Sequence, residues 1–366
     1  MDWNKILLFS ILVMVHVPIV SIGQEKLAMQ WENVPEEIVQ GRLEPQGTAS
    51  FQRFPQELQK EVREPVWQLS RNSAGLYIDF ESDASDIIVE YDVEDQFSFP
   101  HMPATGVSGL DLYAMDENSG WQWVRGIYSF KDTISYRYNG IKPAIKGSLR
   151  TFRLYLPLYN TVRSLRIGVA ENSIFKPIKT KEQNPIVVYG TSIVQGACAS
   201  RPGLAWTSIL GRYIDKPVVN LGFSGNGKLE PEVIDFILRA SPSIIVLDCM
   251  PNFRDSQKAE ESIIKSIERI RAANDTVPIL LIEHAGYSDG FVQNERLEIY
   301  ENLNKATQRA FTYLKSQGIN FLHLVKKEDI NLGKESFVDG THPNDHGMVG
   351  YAMAISKALT EKEILD

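Results

Sequence analysis

The sequence predicts an α/β protein in two parts: an N-terminal β-sandwich or jelly roll, then a domain on a five-stranded parallel sheet. Three observations support this. From Trp31 to about Gly168, short segments rich in β-branched and aromatic residues follow one another without helical periodicity. After Pro185, apolar runs alternate with amphipathic stretches. Four of those runs, around Val187, Val218, Ile244 and Ile279, are apolar at nearly every position. Burial on both faces of a parallel sheet requires that pattern.

The elements follow in order. Residues 1–23 carry Lys5 and then an apolar run from Ile6 to Val20, broken by Ser10, His16 and Pro18. The run is short for a bilayer span and ends in small residues at Ser21 and Gly23, so it reads as a secretory signal peptide. No cysteine lies near the expected cleavage point, so no lipid anchor is expected and the mature protein should not insert in a membrane. Residues 24–174 form the expected sandwich. Its strands are expected in Leu76–Phe80, Ile87–Val93, Gly109–Glu117, Trp121–Tyr128, Ser148–Leu158 and Val162–Val169, with a trace of helix at Phe54–Glu61. Residues 175–184 read as a linker.

In residues 185–366, strands are expected at Ile186–Gly190, Pro217–Gly222, Ser243–Cys249, Pro278–Glu283 and Ile319–Val325. Helices are expected between them at Leu204–Ile214, Pro231–Ala240, Lys258–Ala273 and Glu295–Ser316, with a last one at Asn344–Leu359.

Bulk properties narrow the function. The 366 residues are 43% hydrophobic, which suits two packed domains. A formal net charge of −8 argues against a non-specific grip on nucleic acid. Two cysteines, Cys198 and Cys249, make neither a disulfide framework nor a zinc site. The glycines of Gly190–Gly196 and Asn220–Gly227 lack the Lys-Ser or Lys-Thr of a phosphate loop, and Lys228 does not supply it. No metal or other cofactor is expected.

Catalytic groups in a parallel sheet lie beyond the carboxyl ends of the strands. PIVVYGTSIVQG, Pro185–Gly196, places Ser192 there after the first strand. A serine in a turn is common and alone carries little weight. Its value rises with FVDGTHPNDHG near the C-terminus, where Asp339 precedes His342 by three residues and Gly340 lets the loop turn. An imidazole can take the serine proton, and a carboxylate can hold its second nitrogen. Donors for a developing oxyanion are expected at the Ser192 N–H, Gly222 after the second strand and the Asn252 amide after the third.

Other polar residues have simpler readings. His284 follows a strand and could wall the site or sit in a loop. His101 reads as structural or as a domain contact, His323 as buried and His346 as a helix surface residue. Asp248 is a rival acid too near Asn252 to displace Asp339. Trp121, Trp123, Trp206 and Tyr287 could stack on a sugar, but Trp121 and Trp123 alternate on one strand and so read as core.

YGTSIVQG, VNLGFSGNG, LDCMPN and DGTHPNDHG, in that order, resemble the blocks of the SGNH/GDSL hydrolase superfamily. Upstream, SGLDLYAMDENSGWQWV resembles the glycine-x-aspartate-leucine-tyrosine signature of an N-terminal β-domain found in a bacterial two-domain branch. The resemblance implies a three-layer α/β/α hydrolase domain and an acyl-serine mechanism with Ser192, His342 and Asp339 as catalytic residues. It also implies Ser192, Gly222 and Asn252 as oxyanion donors. It suggests a carbohydrate esterase, often a deacetylase, acting outside the cytoplasm on an acylated glycan or small ester. A lipid or aryl esterase and an inert glycan-binding protein are the alternatives. The blocks depart from the commoner pattern: Thr191 replaces an aspartate, Cys249 a glycine, and Phe253 follows Asn252 in place of an aspartate. Substrate contacts are expected near Thr191, Phe253, Trp206, Tyr287 and His284.

Overall fold

The computed structural model describes residues 28–365, apart from 45–46, 50, 117, 119, 145–147 and 180–183. The expected signal peptide lies outside the described residues. The N-terminal part is a sandwich of two antiparallel sheets. One runs Met29–Asn33, Val162–Ala170, Ile87–Val93, Ile134–Tyr138, Ile127–Ser129 in spatial order. The other runs Phe175–Pro177, Tyr77–Ser82, Arg150–Tyr155, Asp111–Asp116, Gly120–Val124, with Val39–Gln40 paired to Tyr77–Ser82. In Ile87–Val93 burial alternates at every residue, so Ile87, Val89, Tyr91 and Val93 face the core between the sheets. Phe80 and Phe152, paired across neighbouring strands, stack in the same core with centroids 5.3 Å apart.

The C-terminal part is a three-layer α/β/α unit. Its five parallel strands are Ile186–Gly190, Val218–Gly222, Ile244–Asp248, Ile279–Ile282 and Leu322–Val325. Numbered along the chain, they lie in the order 2-1-3-4-5. All residues of the first four are buried, as their unbroken apolar runs require. Helices Pro231–Arg239, Ser256–Ala273 and Asn294–Ser316 cover one face, and Trp206–Ile214 and Asp345–Glu361 the other. The chain order reverses beside the first strand, so the ends of strands one and three flank the crevice where ligands bind in such sheets.

Two segments depart from the expected division: Phe175–Pro177, expected as linker, is an edge strand of the second sandwich sheet, and the other lies nearer the N-terminus. Phe54, Leu58, Val62, Val66 and Trp67 lie in sequence between the sandwich strands Val39–Gln40 and Tyr77–Ser82 but pack in the core of the C-terminal part, with Phe223, Phe236 and their neighbours. The trace of helix is a 3-10 turn, Gln56–Lys60, followed by a helix Glu64–Ser70 that the sequence reading missed. Arg53 anchors this segment. It is wholly buried, and Nη1 donates to the carbonyls of Asn220 (3.2 Å) and Gly222 (2.8 Å) on the outer edge of strand two. Nε donates to the Asn72 carbonyl and Nη2 to that of Leu69. Burial lowers its pKa to about 9. A guanidinium therefore caps the carbonyls that a sixth strand would otherwise cover.

The second sandwich sheet turns its outer face to the C-terminal part. Tyr77, Tyr113 and Tyr155 cluster there, and Arg212 of helix Trp206–Ile214 lies 4.0 Å from the Tyr113 ring centre.

Candidate active site

Strand one stops at Gly190 because the backbone turns at once into a short helix, Ser192–Gln195. Thr191 caps that helix: its side chain accepts from the Ile193 N–H. Gly196, at φ +103, ends it in the left-handed region. Ser192 is thereby held at the first position of a helix, at the crevice. It is largely buried.

The last helix is capped by Asn344, whose side chain accepts from the Gly347 N–H. The preceding loop returns Asp339 to His342. Asp339 Oδ1 accepts from the backbone N–H of Thr341 (3.0 Å) and His342 (2.8 Å), while Oδ2 lies 2.7 Å from His342 Nδ1. His342 Nε2 lies 2.8 Å from Ser192 Oγ. The structure thus brings serine, imidazole and carboxylate into one hydrogen-bonded line. Burial pushes the Asp339 carboxyl up, but the bonds from the His342 backbone and ring outweigh it and hold it below its ordinary value. An ionised Asp339 favours the tautomer with the proton on Nδ1, leaving Nε2 free to accept from the serine.

Gly222 stands differently. Its N–H already donates to Asn220 Oδ1 (2.9 Å), and a Cβ there would fall 2.1 Å from the Gln195 backbone nitrogen. Its role is close packing of strand two against the serine helix. A free N–H that sequence reasoning missed is that of Gly225, three residues on. This glycine has φ +69, open space where a Cβ would stand, and an N–H without a hydrogen bond among the described residues. The N–H of Ser192 is likewise unbonded. The sequence FSGNG signals a glycine turn but not which N–H it leaves free.

Three groups hold the Gly225 turn. Gln195, at the end of the serine helix, accepts from the Ser224 N–H (3.0 Å). Arg63, from the N-terminal segment, donates to the Asn226 carbonyl (2.8 Å). The Asn252 amide donates to the carbonyls of Gly227 (3.0 Å) and Phe223 (3.3 Å). Asn252 therefore braces the turn.

The expected substrate contacts are mostly interior. Thr191, Trp206 and His284 are fully buried, and Phe253 and Tyr287 nearly so. Trp206 packs on Tyr351, centroids 5.1 Å apart. Phe253 belongs to the core below the crevice. His284 accepts from the Gly286 N–H at Nδ1, and burial with Arg254 and Arg296 nearby pushes its pKa down to about 3. Tyr287 accepts at its hydroxyl from Arg254, and its ring lies 3.9 Å under Arg296. Arg296 in turn donates to Thr341 Oγ1 (2.9 Å), so this layer supports the Asp339–His342 loop from behind.

The sandwich supplies the wall the sequence did not indicate. The exposed His101 ring stacks on His342, centroids 6.1 Å apart, and Phe99 stacks on His101. The Cys198 thiol also lies beside Asp339 and His342, within reach of a shared ion. Burial and then Asp339 push it up to about 12, and His342 Nδ1 is bound to Asp339, so these groups do not suit a metal.

Residues 183–360 match the model of the GDSL-like lipase/acylhydrolase family, and residues 29–175 match that of the GxDLY N-terminus of SGNH-hydrolase-type esterases. The chain belongs to the SGNH/GDSL hydrolase superfamily. A Bacteroides ovatus protein assigned as a GDSL-like lipase is 28% identical with a TM-score of 0.85, covering 91% of this chain and 98% of its own. The salicylyl-acyltransferase SsfX3 of a tetracycline biosynthetic pathway shares the fold at 16% identity and TM-score 0.71, over 92% of this chain and 96% of its own. A family two carbohydrate esterase from Cellvibrio japonicus does so at 11% identity and TM-score 0.55, over 92% and 98%. A search of curated proteins found no match.

The GxDLY signature of this superfamily member has a visible purpose. Asp111, nearly inaccessible to solvent, accepts from Arg201 and from the Gly203 N–H of the hydrolase domain and from Trp123 Nε1 of the sandwich. Arg201 also donates to the Tyr113 hydroxyl (2.7 Å). Gly109 admits the Tyr136 hydroxyl, which a Cβ would meet at 2.6 Å. The signature joins the two domains. No helix among the described residues is long and apolar enough to cross a membrane.

Proposed function

We propose that this protein is an exported serine esterase that hydrolyses O-acyl esters, chiefly O-acetyl, on carbohydrate. The supporting observation is the line Ser192–His342–Asp339, closed by contacts of 2.8 and 2.7 Å. His342 Nε2 takes the proton as Ser192 Oγ bonds to the ester carbonyl carbon. The carbonyl oxygen gains the displaced electron pair and is held by the N–H groups of Ser192 and Gly225. Asn252 keeps the Gly225 turn in place and can lend the N–H now 3.3 Å from the Phe223 carbonyl. His342 gives the proton to the leaving alkoxide. Water, deprotonated by the same imidazole, then releases the acid and restores the serine.

The cleft favours a sugar as the alcohol. His101 and Phe99 place a polar and an apolar ring beside His342, a wall suited to a sugar. The resemblance to carbohydrate esterases, and the activity named for the Cellvibrio japonicus enzyme, agree with that choice. Export rests on the apolar N-terminal run.

The test is acid release from acetylated xylan, mannan, pectin and xyloglucan and from 4-nitrophenyl esters of increasing chain length, with Ser192→Ala as control. Acetate release that vanishes in Ser192→Ala, with preference for short chains, is expected. A preference for long acyl chains would replace this reading with a lipid esterase. No fluorophosphonate labelling of Ser192 would leave a binding protein.

A further inference from the structure

We propose a second sugar-binding site, on the sandwich beside the domain junction, that holds a glycan residue distant from the ester. It rests on the carbohydrate reading above and extends it. A cavity of about 460 Å³, within the range of ligand sites, is lined by Trp123, Ile127, Tyr128, Thr105, Ser200 and Arg201 among others. The first three are 47%, 57% and 53% exposed, the largest grouping of exposed apolar side chains on the sandwich. Strand alternation predicted Trp123 to be core; it lines the cavity instead, because Gly120–Val124 is an edge strand exposed on both faces.

The site is built, not incidental. Trp123 Nε1 is pinned by the buried carboxylate of Asp111, and the Arg201 guanidinium lies 4.6 Å from the ring centre. The indole is therefore fixed before any ligand arrives, which lowers the entropy lost on binding. A pyranose has an apolar C–H face and a rim of hydroxyls. Exposed aromatic rings, with hydroxyl and guanidinium groups lining the same cavity, meet both needs. Tyr138 also lines the cavity, and its buried hydroxyl has no hydrogen-bond partner among the described residues.

The site is also joined to the catalytic centre. Ser200 donates from its N–H (2.8 Å) and hydroxyl (2.6 Å) to Asp345, at the start of the helix that follows His342. Thr105 donates to the Ser200 carbonyl (2.7 Å), four residues after His101. A glycan lying along the His101 wall would meet this cavity next, while a small ester would not reach it.

Two measurements test this. Ser192→Ala protein is titrated with xylohexaose, cellohexaose and mannohexaose and followed by calorimetry and by tryptophan fluorescence. Binding by at least one hexaose is expected, weakened tenfold or more by Trp123→Ala and by Tyr128→Ala, the latter leaving the Asp111–Arg201 contact intact. In the active enzyme, the same changes should lower the ratio of kcat/KM on acetylated polysaccharide to that on 4-nitrophenyl acetate about tenfold, through KM. No binding by any hexaose, or binding and ratio both unaltered in Tyr128→Ala, overturns the site. Loss of all ester turnover in the wild-type protein would instead strike at the esterase reading and leave the titration to judge the cavity.

Discussion

Asp111 of the sandwich grips Arg201 of the hydrolase domain, and the residue before Arg201 holds the helix that follows His342. The sandwich is thus mechanically continuous with the helix that follows His342. Asp111→Ala leaves the Arg201 guanidinium, the Gly203 N–H and Trp123 Nε1 without their acceptor. A cost of about 3 kcal/mol or more in folding stability is expected, with kcat reduced in the fraction that remains folded. Denaturant titration checks the first and assay well below the melting temperature the second. A wild-type midpoint would remove Asp111 as a clasp.

At the chemical step, His342→Ala should lose at least about a hundredfold in kcat. Asp339→Asn keeps the loop shape but no longer favours the tautomer with Nδ1 protonated, so kcat should fall with KM little altered. Asn252→Ala frees the Gly225 turn and should slow turnover on the order of tenfold or more. Steady-state kinetics on an acetyl ester decide all three, and unchanged turnover in any one would withdraw that residue's role.

The two glycines after strand two separate structure from chemistry. Gly222→Ala forces a Cβ to within 2.1 Å of the Gln195 nitrogen, so loss of about 3 kcal/mol or more, or failure to fold, is expected. Gly225→Ala meets no neighbour and bears only the strain of φ +69, about 1 kcal/mol, yet should slow kcat by tilting the donor N–H. Circular dichroism melting beside kinetics distinguishes them. A fully active, stable Gly222→Ala protein would overturn the packing argument.

Asp248 gives the molecule a pH signature. It is wholly buried at the end of strand three, with Tyr351 donating to Oδ2 (2.8 Å) and Oδ1 unpartnered among the described residues. Burial pushes its pKa up from 3.8 to about 7, against the pull of the Tyr351 bond. Across that window the folded chain keeps a proton the unfolded chain has lost, so this contribution is full below about pH 4 and declines as pH rises to about 7. Asp248→Asn should remove the decline, raising stability at pH 8 relative to pH 4.5 by about 1–3 kcal/mol over wild type. Parallel denaturation profiles for the two proteins would count against it.

The parallel sheet was legible because burial on both faces writes continuous apolar runs such as IIVLD, which only turn residues interrupt. The sandwich was legible through alternation, though alternation states only that two faces differ. It does not say which face meets solvent, and so Trp123 was misplaced. Asp339 and His342 lie close in sequence, and a local turn brings them together. Gly225 was hidden because hydrogen bonding to Asn220, not the choice of residue, decides which glycine N–H is free. Trp206, His284 and Tyr287 looked like ligand contacts because aromatic and imidazole groups serve cores as well as clefts. The helix Glu64–Ser70 escaped notice for its shortness, and much of the core it joins, from Val187 to Leu324, lies more than 110 positions downstream.

The threading of Phe54–Trp67 into the hydrolase core has a consequence for how the chain is made. This stretch leaves the ribosome long before the strands it covers, and must wait, with five large apolar side chains undocked, until Asn220 and Gly222 arrive to receive Arg53. A fragment beginning at Pro185 would bear a bare sheet edge and an oily flank, prone to clump; a synthetic peptide spanning residues 51–73, added during refolding, should rescue its solubility.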